Sequence, residues 1–155
     1  MTDINITSEI VVKVKKLHPD AVIPTYGTEG AAGFDFYAIE DVILIPGETK
    51  LIRTGLAMAI PFGYEIQVRP RSGLAYKYEI TVTNSPGTID SGYVIPNEIK
   101  IIIKNLSPDK DFIIKNGDRI AQGVLSAVPM AVFEEVIEEE DSDRNRGGGF
   151  GSTNQ

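Results

Sequence analysis

Short apolar runs rich in β-branched residues recur along most of this chain, separated by turn signals. Ile10 to Val14 opens the series. Val42 to Ile45 ends at Pro46-Gly47-Glu48, and Lys50 to Ile60, interrupted by Gly55, closes at Pro61-Phe62-Gly63. Tyr64 to Arg69 alternates with period two, and Ile80 to Thr83, Glu98 to Ile103, Asp111 to Ile114 and Val124 to Val128 complete the set. β-branched side chains are stiff at χ1 and suit a pleated surface, and period two sends alternate residues to opposite faces. Such runs, punctuated by Pro and Gly, predict an all-β sandwich or barrel. Leu74 to Tyr78 is the one helical candidate, a turn or two at most. No internal repeat is visible. At 155 residues the chain reads as a single domain. Within it, a body over 1–133 leads to an acidic linker over 134–143 and a glycine-rich arm over 144–155.

Composition narrows the chemistry. There are no cysteines, which removes disulfides, thiol nucleophiles and cysteine zinc sites together. The single histidine, His18, sits beside Pro19 in what reads as a surface turn. Catalysis must then run on carboxylates, hydroxyls, arginines or a hard metal held by oxygen. The net charge of −7 is local in origin: Glu134, Glu135, Glu138, Glu139, Glu140, Asp141 and Asp143 crowd one segment. Taking those seven from the 22 acids leaves as many acids as the 15 bases. The acidic run reads as a solvated linker, and no basic stripe offers itself to a duplex backbone, so no direct nucleic-acid binding is expected. No stretch approaches the ~20 apolar residues of a membrane span. Met1 to Asn5 has neither a basic nor an apolar leader region, so the expectation is a cytoplasmic protein, with a cellular or a viral or phage source left open.

Five segments break the strand pattern. Gly147-Gly148-Gly149-Phe150-Gly151-Ser152-Thr153 follows Arg144 and Arg146. Adjacent glycines let successive N–H groups turn toward one anion, and the hydroxyls and arginines add donors. It is not a P-loop, because no helix can follow it. It reads as an arm closing over a phosphate held elsewhere, although a plain glycine-rich tail has the same composition. In Gly33-Phe34-Asp35-Phe36 alternation turns Asp35 away from both aromatics, toward solvent or a metal. Arg69-Pro70-Arg71-Ser72-Gly73 combines basic groups, a hydroxyl and a glycine at a strand end, a set suited to anions and also to an ordinary turn. Asn84-Ser85-Pro86-Gly87-Thr88-Ile89-Asp90-Ser91-Gly92-Tyr93 is too long for a tight hairpin and reads as a loop presenting Asp90, or as an Asx-turn. Asn116-Gly117-Asp118-Arg119-Ile120-Ala121-Gln122 starts at a turn, where Asp118 and Arg119 could form only a salt bridge.

Together and in this order the segments resemble the five motifs of the trimeric deoxyuridine triphosphate nucleotidohydrolases, the dUTPases, from Ala31 to Thr153. That resemblance implies a jelly-roll-like subunit, a homotrimer with shared active sites, and dUTP as substrate. It implies Mg²⁺-dependent attack of water at the α-phosphorus, giving dUMP and pyrophosphate, which limits uracil in DNA and supplies dUMP for dTMP synthesis. By the same likeness Asp90 is the general base and Tyr93 packs under the deoxyribose, excluding a 2′-OH. Asn84, Gly87, Thr88, Ile89 and the backbone near Lys100 read the uracil. Arg71, Ser72 and Gly73 contact phosphates. Asp35 and Gln122 hold Mg²⁺-bound waters, with Gln122 also at the substrate. Phe150 stacks on the base while Gly151, Ser152 and either Arg144 or Arg146 close on the γ-phosphate. The chain departs from the pattern at Val94-Ile95-Pro96-Asn97, two residues longer than usual, at Gly92 in place of an acid, and at Asn145, where the family arginine belongs. Two rivals share the scaffold. A dCTP deaminase has a similar Ile89-to-Tyr93 loop but needs a glutamate absent here. A non-catalytic nucleotide-binding protein predicts erosion of Ser72, Asp90, Tyr93, Gln122 and Phe150, all of which remain.

Overall fold

The computed structural model describes residues 9–138 and 147–151. Among these, ten strands and one short helix follow the chain: β1 Lys13–Lys16, β2 Phe34–Tyr37, β3 Val42–Leu44, β4 Thr49–Ala59, β5 Tyr64–Arg69, α1 Ser72–Tyr78, β6 Ile80–Val82, β7 Gly87–Asp90, β8 Ile99–Asn105, β9 Phe112–Ile114 and β10 Arg119–Ala127. The strands form two four-stranded sheets, ordered β1-β4-β8-β6 and β2-β10-β5-β7, and a small β3-β9 pair. Every pairing is antiparallel. Ile99, Ile101 and Ile103 of β8 point inward while Lys100 and Lys104 do not. They meet Phe34, Phe36, Ile66, Val68, Ile89 and Ile120 of the other sheet in one apolar cluster. Burying each such side chain contributes ~1.5–3 kcal/mol. The result is the expected all-β, jelly-roll-like body.

Four elements differ from the sequence pattern. β1 begins at Lys13, not Ile10, because its partner β4 ends at Ala59. β7 lies inside the segment expected to be a loop. Gly87 is a weak strand former, and its pairing with Val68 of β5, followed by Thr88 with Gln67, carries the strand through it. β10 starts at Arg119, five residues early, and so carries Arg119 to Gln122 of the fourth motif into a sheet. The helix starts at Ser72 and buries no residue. It is held by a Tyr78–Phe112 ring contact and by the Leu106 N–H, which donates to the Glu79 carbonyl at 2.9 Å. Beyond β10, residues 129–138 form no strand or helix, and Val132 and Phe133 are each 94% exposed. No helix among the described residues is long and apolar enough to cross a membrane.

Candidate active site

The first cluster forms where β2, β10 and β5 run side by side. Register pairs Asp35 with Gln122 and Gln122 with Arg69, so all three share the sheet's outer face. Phe34 and Phe36 fill the inner face, as alternation requires. Asp35 Oδ1 lies 3.0 Å from Arg71 Nε, and its Oδ2 lies 3.8 Å from an Arg119 guanidinium nitrogen. Gln122 Nε2 donates to the Pro70 carbonyl at 2.9 Å, tying β10 to the segment that enters α1. Arg71 caps that helix in extended conformation, and Ser72 and Gly73 follow in its first turn, exposed. At Gly33 a Cβ would strike the Gln122 amide, so glycine keeps that amide in place. Sequence reasoning gave Arg119 only a salt bridge with Asp118. Instead Asp118 Oδ2 accepts the Lys115 N–H at 2.8 Å, freeing Arg119 for Asp35.

The second cluster lies between β7 and β8. These strands belong to different sheets, so the edge of β7 facing β8 has no ladder partner and a cleft of about 240 Å³ remains between them. Thr88, Ile89, Asp90, Tyr93 and Lys100 line it. A smaller recess of about 70 Å³ adjoins, lined by Asn84 and Gly87 among others. A Cβ at Gly87 would sit 3.1 Å from Asn84 Nδ2 and 3.3 Å from Val68 Cβ. Asp90 Oδ1 accepts the Gly92 N–H at 2.9 Å, which is the Asx-turn, while Oδ2 has no partner among the described residues. The Asx-turn is thus present at the end of β7; it fixes the carboxylate through one oxygen and leaves the other open beside the cleft. Tyr93 donates its hydroxyl to the Glu98 carbonyl at 2.6 Å. The additional residues after Tyr93 fold into a turn, Asn97 N–H to Val94 carbonyl at 2.9 Å, and Lys100 pairs with Arg53 of β4.

The two clusters do not meet within one chain. The Asp90 row crosses β5 at Glu65 and the Gln122 row crosses it at Arg69. At ~3.4 Å per residue and ~4.8 Å per strand, Asp90 lies about 17 Å from Gln122 and about 20 Å from Asp35 along the sheet. Of the arm, residues 147–151 are described; Phe150 is fully exposed and Gly151 is exposed. Arg144, Arg146 and Ser152 lie outside the described residues.

The dUTPase family model matches residues 19–154. The chain belongs to the dUTPase family. It is similar to a deoxyuridine 5′-triphosphate nucleotidohydrolase of Nautilia profundicola, 57% identical over 142 residues, covering 92% of this chain and 97% of that protein. The counterpart of Helicobacter pylori strain J99 is 49% identical, over 92% of this chain and 95% of its own. Among solved structures, the Staphylococcus bacteriophage 80alpha dUTPase with dUPNHPP superposes with a TM-score of 0.83 at 28% identity, covering 93% of this chain and 98% of that one. A mutant dUTPase of phage phi11 of S. aureus, described for its coordination of a structural Mg(II) ion, gives 0.78 at 26% identity, over 85% and 100%. In a dUTPase the donors of the first cluster suit a hydrated cation. No group of three or more His, Cys, Asp or Glu converges among the described residues. One carboxylate and one amide on a common face are too few for a protein cage but enough to orient an ion's waters.

Proposed function

We propose that this dUTPase hydrolyses dUTP to dUMP and pyrophosphate by attack of water at the α-phosphorus, in a site shared between copies of the chain. The observation that carries this reading is Asp90: one carboxylate oxygen pinned by Gly92, the other open to the cleft beside Tyr93. Such an oxygen can orient a water and take its proton. Tyr93 closes the cleft where a 2′-OH would need room. The unpaired edge of β7, with Asn84 and Gly87, supplies main-chain donors and acceptors for a uracil edge, as does the backbone near Lys100. Arg71, Ser72 and Gly73 hold phosphate oxygens. Asp35 and Gln122 hold the waters of Mg²⁺, which neutralises the triphosphate when bound. Gly151, Ser152 and Arg144 or Arg146 meet the γ-phosphate, and Phe150 stacks on the base. Phosphoryl chemistry of this kind is positioning and charge stabilisation, needing no covalent nucleophile.

Distance supports sharing between copies. Water on Asp90 and cation waters on Asp35 and Gln122 must meet at one phosphate, yet about 20 Å of sheet separates them within a chain. A neighbouring copy brings them together, and the family likeness favours a homotrimer. The exposed Met130, Val132, Phe133, Val136 and Ile137 supply apolar surface for such an assembly.

Pyrophosphate release from dUTP, dTTP, dCTP and UTP, with Mg²⁺ and with chelator, tests the reading. Activity on dUTP alone, abolished by chelator, is expected. Comparable turnover of UTP or dTTP, or ammonia release from dCTP, would overturn it.

A further inference from the structure

Tyr93 is held at its far end by a neighbour that is itself clamped. β4 carries a bulge: Arg53 pairs with Lys100 and Leu56 with Ile99, so Thr54 and Gly55 are additional residues on one side of the ladder. Gly55 adopts φ +67°, and a Cβ there would lie 3.0 Å from the Ala21 Cβ and 3.1 Å from the His18 Cβ. Thr54 is fully buried; its hydroxyl donates to the Ile99 carbonyl at 2.6 Å and accepts the Leu56 N–H at 3.2 Å. Bulges re-aim side chains and recur beside active sites. This one aims Arg53 at Glu98, the residue before β8.

The contact is a two-pronged fork. Arg53 Nε donates to both Glu98 carboxylate oxygens at 3.2 Å, and Nη2 donates to Oε1 at 3.0 Å. The Glu98 side chain is only 13% exposed, against 45% for Arg53. The hydrogen bonds from Arg53, and then the carboxylate's charge, hold the guanidinium above its ordinary pKa. Arg53 is anchored in turn, because its N–H donates to Glu40 Oε1 at 3.1 Å and its carbonyl accepts the Ile39 N–H at 3.1 Å. Lys100 stands 4.0 Å from the same carboxylate. Glu98 then presents its carbonyl to the Tyr93 hydroxyl. Side-chain fixation at Glu98 thus becomes main-chain fixation under the tyrosine, across a Ser91–Asn97 stretch outside any strand.

We propose that Arg53 and Glu98 are a positioning pair that sets the Tyr93 ring against the sugar and so determines exclusion of ribonucleotides. The proposal rests on the reading that Tyr93 meets the deoxyribose. Neither residue touches the substrate. Asp90 is fixed separately by Gly92, so loosening the pair affects fit more than chemistry.

The experiment is a double-mutant cycle in the full-length protein. Arg53→Met should raise KM for dUTP about tenfold, keep kcat within about threefold, and cut the dUTP-over-UTP preference about tenfold. Tyr93→Phe removes the hydroxyl that reads the Glu98 carbonyl and should relax preference alike. In the Tyr93→Phe background Arg53→Met should then add nothing, because both act through one bond. The charge-swapped protein, Arg53→Glu with Glu98→Arg, should recover most of the preference. If Arg53→Met fails to fold, as read by thermal melting, Glu98→Ala carries the same cycle. Fully additive losses, or preference unchanged by Arg53→Met while Tyr93→Phe relaxes it, would overturn the positioning pair. Tyr93→Ala leaving UTP exclusion intact would instead overturn the placement of Tyr93 at the sugar.

Discussion

A methyl group added at Gly123 would sit 2.5 Å from Phe34 Cε2 and 2.8 Å from Phe36 Cε2, inside the core. At Gly33 the clash would be with the movable end of Gln122. The two glycines therefore predict opposite phenotypes. Gly123→Ala should destabilise by ~1–3 kcal/mol in urea unfolding, as overpacking of a full core does. Gly33→Ala should unfold within ~0.5 kcal/mol of the parent, yet lose turnover, because Gln122 is pushed off Pro70 and out of the row it shares with Asp35. Phe150 offers a third contrast. It is fully exposed, so Phe150→Ala should leave the melting temperature unchanged. Binding of a non-hydrolysable dUTP analogue, measured by calorimetry, should weaken by the ~1–3 kcal/mol of one aromatic stack. Side chains in regular alternation were legible beforehand: Asp35 opposes Phe34 and Phe36 because a strand has period two. Arg119, Arg53 and Glu98 were not. Their partners lie far off along the chain, and the 45-position separation of Arg53 and Glu98 carries no local signal of the meeting.

Strands with strong β-branched content, such as β5 and β8, could be read from the chain because their propensity and their tertiary role agree. β7 could not, since Pro86-Gly87 reads as a turn and only pairing with Val68 of β5 carries the strand through Gly87. The elements at the far end of the body depend on one polar residue. Asn105 is fully buried at the end of β8. Its amide donates to the Leu44 carbonyl at 3.0 Å and the Lys110 carbonyl at 2.7 Å, and its Oδ1 accepts the Ser107 N–H at 3.0 Å. It thereby ties β3, β8 and the turn before β9 together. Asn105→Leu should cost about 3 kcal/mol in denaturant unfolding, because it strands several main-chain groups without partners. Phe112 of β9 supports Tyr78 of α1, so the same variant should raise KM for dUTP through the helix that begins at Ser72.

At the scale of the assembly, the shared-site proposal predicts complementation. Asp90→Asn chains lack the base and should lose turnover by ~10²–10⁴-fold. Chains truncated after Asp143 lack the arm. Mixed after subunit exchange, the two should recover activity that neither has alone, in a pyrophosphate-release assay. No recovery with exchange verified by mass spectrometry would mean each site is built within one chain. The five-motif pattern made the family legible, but it could not tell how far apart those motifs fall, because strand register is a property of the whole sheet. That register sets a condition on life at low abundance. On the shared-site proposal a folded single chain is inert, because Asp90 stands about 17 Å along the sheet from Gln122. On that proposal activity follows the amount of assembled protein rather than of chain, so dilution should silence the catalyst while every strand stays in place.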